Sequence, residues 1–182
     1  MDLTVFKVRL AKLKEKLRDN NIETAIITDE DNVYYLCGYY DYLHMDFGRP
    51  TLLIISVDRE ILLITPAIDL NTAQEAACVD RISAWNDGMG EEWRAELPQI
   101  LQKSGRIAIE PDQMPPIVKR YIDQEVPSDQ IANVTPILST MRMVKSDEEL
   151  KIARDAGKVA NAMMLAGREA IGDGVAEYEV AI

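Results

Sequence analysis

Between Tyr39 and Pro50 the chain crowds Tyr39, Tyr40, Asp41, Tyr42, His44, Asp46 and Arg49 into one short stretch. Aromatic and ionisable groups at that density make poor solvated filler, and binding or catalytic groups concentrate on loops between structural elements. Arg49 offers a planar guanidinium whose fork can hold a carboxylate through two N–H donors. His44, the only histidine of the chain, can change charge near neutral pH. Tyr39, Asp41, His44 and Arg49 are therefore the candidate substrate-access residues. The competing reading is a loop packed on its own domain, and the residue types alone leave both open.

Other groups that could do chemistry have plainer roles. Asp147, Glu148 and Glu149 form a carboxylate cluster, but at a helix start such residues cap the helix and complement its dipole. Asp29, Asp31 and Asn32 resemble a calcium loop only loosely, lacking its glycine and its twelfth-position glutamate, and read as a polar turn. Cys37 has no neighbouring cation in the sequence to lower its pKa and reads as a buried, inert thiol. Trp85 and Trp93 bracket Asp87-Gly88-Met89-Gly90 and read as core anchors around a turn rather than a ligand lid. No residues qualify as a catalytic set, and none as a metal set.

At 182 residues the chain suits one domain plus an appendage, and its 47% apolar content is enough for a core. Acidic residues outnumber basic ones by 31 to 20, which argues against a nucleic-acid surface. No apolar run approaches the roughly 18 residues a membrane span needs. Charges occupy the N-terminus where a signal peptide would be apolar, and Asp2, Glu15 and Asp19 with little serine argue against a transit sequence. Cys37 and Cys78 lack C-x-x-C spacing and fit reduced thiols in a cytoplasmic protein.

The elements that must position the candidate loop alternate between helix and strand. Phe6, Leu10, Leu13 and Leu17 recur at helical spacing, with lysines and arginine on the other faces. Asn20-Asn21 suits the helix exit, because asparagine tolerates the left-handed conformation. Thr24 to Thr28 reads as a short buried strand closed by an acidic turn at Asp29-Glu30-Asp31-Asn32. Thr51 to Val57 and Glu60 to Thr65 flank Asp58-Arg59 and read as a hairpin. Both runs are apolar on successive residues, so both faces should be covered by helices. Further strands are expected at Val79–Trp85, Arg106–Glu110 and, at an edge, Ile131–Thr135, where Pro136 breaks the run. Helices are expected near Leu70–Ala77, Glu91–Leu101 and Pro116–Gln124. A hairpin inside a βα-alternating chain predicts a three-layer α/β/α fold with a mixed sheet.

The C-terminal region reads as a linker at Met141–Lys145, a capping box of Ser146 with Glu149, a helix to about Ile171, and a stop at Gly172-Asp173-Gly174. Leu150, Ala153, Gly157, Ala160, Met164, Gly167 and Ile171 form one apolar stripe beside a second, so the helix is expected to pack against a close partner surface. A new helix begins before Ile182, so the chain is expected to be the front part of a longer protein.

The stretch Arg142-Met143-Val144-Lys145-Ser146-Asp147-Glu148-Glu149-Leu150, with Arg154, Ala156, Gly174 and Glu177 after it, resembles the start of the catalytic domain in the creatinase, prolidase and aminopeptidase P family. Asp31-Asn32-Val33-Tyr34-Tyr35-Leu36-Cys37-Gly38-Tyr39 is similar to that family's N-[IV]-x-Y-L-[TS]-G-[FY] segment. The two motifs stand at the expected separation, and the likeness runs over essentially the whole chain. Cys37 departs from the usual Thr or Ser, and Ala176 from the residue that would cap the following helix.

The resemblance implies a first domain over residues 1–140 with a ribonuclease H-like motif, then a linker and the first helix of a truncated pita-bread catalytic domain over 141–182. It implies a metal-dependent Xaa-Pro peptidase of prolidase or aminopeptidase P class as the parent, with this domain serving dimerisation and substrate access. Two divalent ions (manganese, cobalt or zinc) would be held by two Asp, one His and two Glu, all beyond the equivalent of Glu179. The chain itself would then carry no cofactor and be inactive alone. Its partners would be the C-terminal catalytic domain, a second copy in a homodimer, and a peptide or small-molecule substrate. The family's corresponding loop, here Tyr39, Asp41, His44 and Arg49, reaches toward the partner subunit's active site. The alternatives are a creatinase-like C–N hydrolase of small non-peptide substrates and a catalytically dead binding module.

Overall fold

The computed structural model describes residues 3–40, 50–86 and 92–181. Helix α1 (Leu3–Asp19) buries Phe6, Leu10, Leu13 and Leu17 along one stripe. Asn21 then turns the chain with φ 55. Strand β1 (Thr24–Ile27) follows, and helix α2 (Glu30–Cys37) comes after it. The hairpin is present as β2 (Leu52–Ser56) and β3 (Ile61–Pro66), with Leu53 opposite Leu63. A single 3-10 turn at Ala67–Asp69 leads into α3 (Leu70–Ala76), then β4 (Arg81–Trp85). A second 3-10 turn at Glu92–Arg94 precedes α4 (Leu97–Gln102), β5 (Ile107–Ile109), α5 (Pro116–Glu125) and β6 (Ile131–Asn133).

The six strands form one sheet in the order β4-β3-β2-β1-β5-β6. The pairs β1–β2 and β2–β3 are antiparallel, while β1–β5, β3–β4 and β5–β6 are parallel. Every residue of β1, β2, β3 and β5 is buried, as continuous apolar runs require of strands covered on both faces. Ile26, Ile54, Leu62, Ile64, Ile107 and Ile109 share one face and pack with Leu97 and Leu101 of α4 and Val118, Tyr121 and Ile122 of α5. Side chains alternate along a strand, so Ala25, Ile27, Leu53, Ile55 and Leu63 point the other way. They too are buried, on the face left to α1, α2 and α3. The three-layer mixed α/β sandwich is as expected.

Three local expectations are corrected. Asp29–Asn32 is not a free-standing turn: Asp29 is the N-cap of α2, its side chain accepting from the Asn32 N–H at 2.9 Å. The helix expected from Glu91 to Leu101 is split, because Pro98 sits in the first turn of α4, where its missing N–H costs nothing. The linker expected at Met141 instead begins within a helix, α6 (Thr135–Met143). Pro136 starts this helix rather than merely ending β6, and Asn133 Oδ1 accepts from the Thr135 N–H at 2.8 Å.

The chain divides into two compact units, residues 1–140 and 141–182. In the second, α7 (Asp147–Ala170) opens with the predicted capping box. Ser146 accepts from the Glu149 N–H, and Glu149 Oε2 from the Ser146 N–H. Gly174, with φ 81, reverses the chain before α8 (Glu177–Ala181). Ala176 supplies no side-chain cap, yet its N–H donates to Glu179 Oε2 at 2.8 Å, so half of a capping box survives. No residue of α7 is buried, and Met163 and Met164 are 69% and 75% exposed.

Candidate functional site

The stretch 41–49 is launched by α2, and α2 is held by a carboxylate from the far side of the sequence. Glu110 follows β5 and is fully buried. Its Oε2 accepts from the backbone N–H groups of Thr28 at 2.8 Å and Asp29 at 3.0 Å, and its Oε1 from the Asn32 side-chain amide at 2.6 Å. Parallel pairing of β1 with β5 brings Glu110 to the turn between β1 and α2. Burial pushes the Glu110 carboxyl above its ordinary range, and the three donors offset part of that push.

The other end of α2 is closed by close packing and a cation. Gly38 has φ 83 and its N–H returns to the Tyr34 carbonyl. A Cβ there would stand 2.7 Å from the Phe6 ring and 3.2 Å from the Ala76 carbonyl oxygen, so only glycine fits in both conformation and space. Arg9 of α1 lays its guanidinium 4.1 Å from the centre of the Tyr35 ring and donates to the Tyr35 carbonyl at 2.8 Å. A cation at a helix C-terminus also complements the dipole.

Both ends of the candidate stretch meet at one hydroxyl. Tyr39 is 1% exposed, and its phenol shares a hydrogen bond with Thr65 Oγ1 at 3.1 Å. Thr51, just past the stretch, shares another with the same oxygen at 3.3 Å. Pro50 accepts from Trp85 Nε1 at 3.2 Å. Tyr39 is thus placed in the core as an anchor, whereas Asp41, His44 and Arg49 lie outside the described residues. Tyr40 is half-exposed beside Tyr34, edge to face at 6.1 Å. Glu30 chiefly, with Asp31 and a little burial, raises its phenol.

Cys37, Trp85 and Trp93 are all buried. Burial raises the Cys37 thiol to about 12. Trp85 and Trp93 are core residues, and Trp93 meets Tyr121 edge to face at 5.8 Å. Among the described residues no group of three or more His, Cys, Asp or Glu could hold a metal ion. None of the described helices is long and apolar enough to cross a membrane. Glu110 and Arg9 went unseen in the sequence. For Glu110 the available signal was an acid at the end of a short strand that is wholly apolar.

A family model for the creatinase/prolidase N-terminal domain matches residues 9–144. The chain belongs to this family. Relatives include the creatinase of Bacillus sp. (strain B-0618), 26% identical over 178 residues, which cover 96% of this chain and 42% of that protein. The Xaa-Pro dipeptidase of Lactobacillus helveticus is 25% identical over 178 residues, covering 96% and 47%. The chain thus spans about half the length of these curated relatives. Among solved structures, the prolidase from Pyrococcus horikoshii OT3 superposes with a TM-score of 0.75 at 22% identity, over 95% of this chain and 46% of that one. A Creatine_N superfamily domain of a Streptococcus thermophilus dipeptidase gives 0.60 at 21% identity, over 74% and 98%. Within this family frame, the segment that carried the resemblance has a structural meaning: Asn32 ties α2 to Glu110, and Gly38 permits its exit.

Proposed function

We propose that residues 1–140 are the non-catalytic N-terminal domain of a metal-dependent Xaa-Pro peptidase, and that residues 141–182 lead into its catalytic domain. The observation that carries this reading is the junction of Tyr39, Thr51 and Thr65. It fixes both roots of the stretch bearing Asp41, His44 and Arg49 to the sheet, in a family whose members include an Xaa-Pro dipeptidase. In this role Arg49 holds a substrate carboxylate at the partner subunit's active site, and the domain serves dimerisation. In this reading the two divalent ions and the hydrolysis belong to the catalytic domain. A second reading, a creatinase-like hydrolase of C–N bonds in a small substrate, draws support from the comparable likeness to creatinase.

Three experiments test this. The purified 182-residue chain should show no manganese- or cobalt-stimulated cleavage of Xaa-Pro dipeptides, whereas the full-length protein should cleave them. Turnover by the chain alone, surviving removal of contaminating peptidases, would overturn the division of labour. In the full-length protein Arg49→Lys should lose about 1.5–3 kcal/mol of kcat/KM, the scale of a charged hydrogen bond, because ammonium cannot reproduce the fork. Unchanged kcat/KM would return Arg49 to a structural role. A chain ending at Val144, with α6 complete to Met143, should unfold cooperatively. The 182-residue chain should pair at tens of micromolar through the exposed face of α7. A monomer at that concentration would remove α7 from the association.

A further inference from the structure

Two sulfurs have no part in the function proposed above. Cys37 ends α2, and Cys78 lies between α3 and β4. The Cys78 N–H donates to the Cys37 carbonyl at 2.7 Å. Adding standard backbone lengths to that distance places the two Cα atoms no more than about 6.6 Å apart. Disulfides form over Cα separations of roughly 4.4–6.8 Å. The approach is fixed on both sides. The Gly38 N–H is bound to Tyr34 and the Ala77 N–H to Ala73, while the Ala76 carbonyl abuts Gly38. The folded chain thus already brings the two backbones to the separation a disulfide needs. Access is unequal, since Cys37 is buried and Cys78 is partly exposed.

We propose that Cys37 and Cys78 form a reversible intramolecular disulfide on exposure to a small disulfide oxidant such as oxidised glutathione. The Cys78 thiolate attacks one sulfur of oxidised glutathione. That S–S bond breaks, one glutathione thiolate leaves, and Cys78 carries the other as a mixed disulfide. Cys37 then gives up its proton and attacks the Cys78 sulfur, displacing the second glutathione. Two protein thiols are oxidised, one glutathione disulfide is reduced to two thiols, and the two protons end on the departing thiolates. Burial keeps Cys37 protonated, so the second step is the slow one and the mixed disulfide builds up first. The bond ties the end of α2 to the segment entering β4, next to the Gly38 exit.

The test incubates the 182-residue chain with oxidised glutathione at neutral pH, quenches samples in acid, counts free thiols and maps peptides without reduction. Free thiols should fall from two to none. The mass should first rise by one glutathione, then settle two hydrogens below the reduced chain, and the peptides bearing Cys37 and Cys78 should emerge as one linked species that dithiothreitol separates. Cys37→Ser should stop at the mixed disulfide, and Cys78→Ser should keep its Cys37 thiol. A chain that ends with Cys78 glutathionylated and Cys37 free overturns the proposal, as does one that links only to other chains or does not react. Should Cys37→Ser fail to fold, Cys78→Ser and the peptide map of the unsubstituted chain decide the matter.

Discussion

Replacing Glu110 with alanine should cost the first unit about 3 kcal/mol or more, the scale of leaving three hydrogen-bond donors without an acceptor. Alanine leaves the Thr28 and Asp29 N–H groups and the Asn32 amide without their acceptor, and each stranded buried donor costs about 1–3 kcal/mol. Water entering the vacated space recovers part of that sum. The measurement is a urea transition of a chain ending at Val144, which keeps α6 whole, read as a lower midpoint at similar slope. A loss below about 1 kcal/mol would mean that the donors find other partners, since a typical hydrogen bond contributes that much net.

The same carboxyl carries a pH signature. Its folded pKa stands above the ordinary 4.5 because burial disfavours the charged form. The contribution it makes to stability is therefore fully present below the unfolded value and lost as pH rises through the folded one. Glu110→Gln does not titrate, so wild-type stability relative to this variant should fall as pH climbs from 4.5. A wild-type advantage that grows over that range would show the three donors outweighing burial.

Gly38→Ala should be nearly as damaging, at about 2–5 kcal/mol, from two separable causes: left-handed backbone costs an L-residue about 1–2 kcal/mol, and overpacking about 1–3 kcal/mol more. The new methyl would meet the Phe6 ring, itself only 4% exposed. Combining Gly38→Ala with Phe6→Leu separates the two causes, because residues in contact show coupling on the order of 0.5–3 kcal/mol. If the double variant is as unstable as the single effects added, the ring is not the obstacle and backbone strain alone remains.

Much of this architecture could be read from local pattern. The β2–β3 hairpin announced itself through two apolar runs around Asp58-Arg59, and α7 through Ser146 and Glu149, because those signals lie within a few residues of the elements they define. The start of α2 did not. Asp29 to Asn32 is polar enough for a turn, and what makes it helical includes Glu110, 78 residues from Asn32 and delivered by strand pairing. Pro136 misled for a different reason, since proline ends one element and begins another equally well, and only the burial of Leu138 and Met141 distinguishes the two. In the candidate site, the aromatic and ionisable density was visible, whereas the sinking of Tyr39 into the core was not. A tyrosine carries both an apolar body and a polar tip, and Thr65 as its partner is set by the hairpin rather than by its neighbours in sequence.

The meeting of Tyr39 and Thr51 at Thr65 also bears on how such a domain diversifies. A segment whose two roots are clamped to a sheet is a cassette. Its closure is secured by the clamp, and doubling its length adds only about 0.6 kcal/mol of closure entropy. Residues 41–49 are then free to change in size and chemistry while the strands on either side keep their register. Nine positions can then be rewritten without renegotiating the core that carries them.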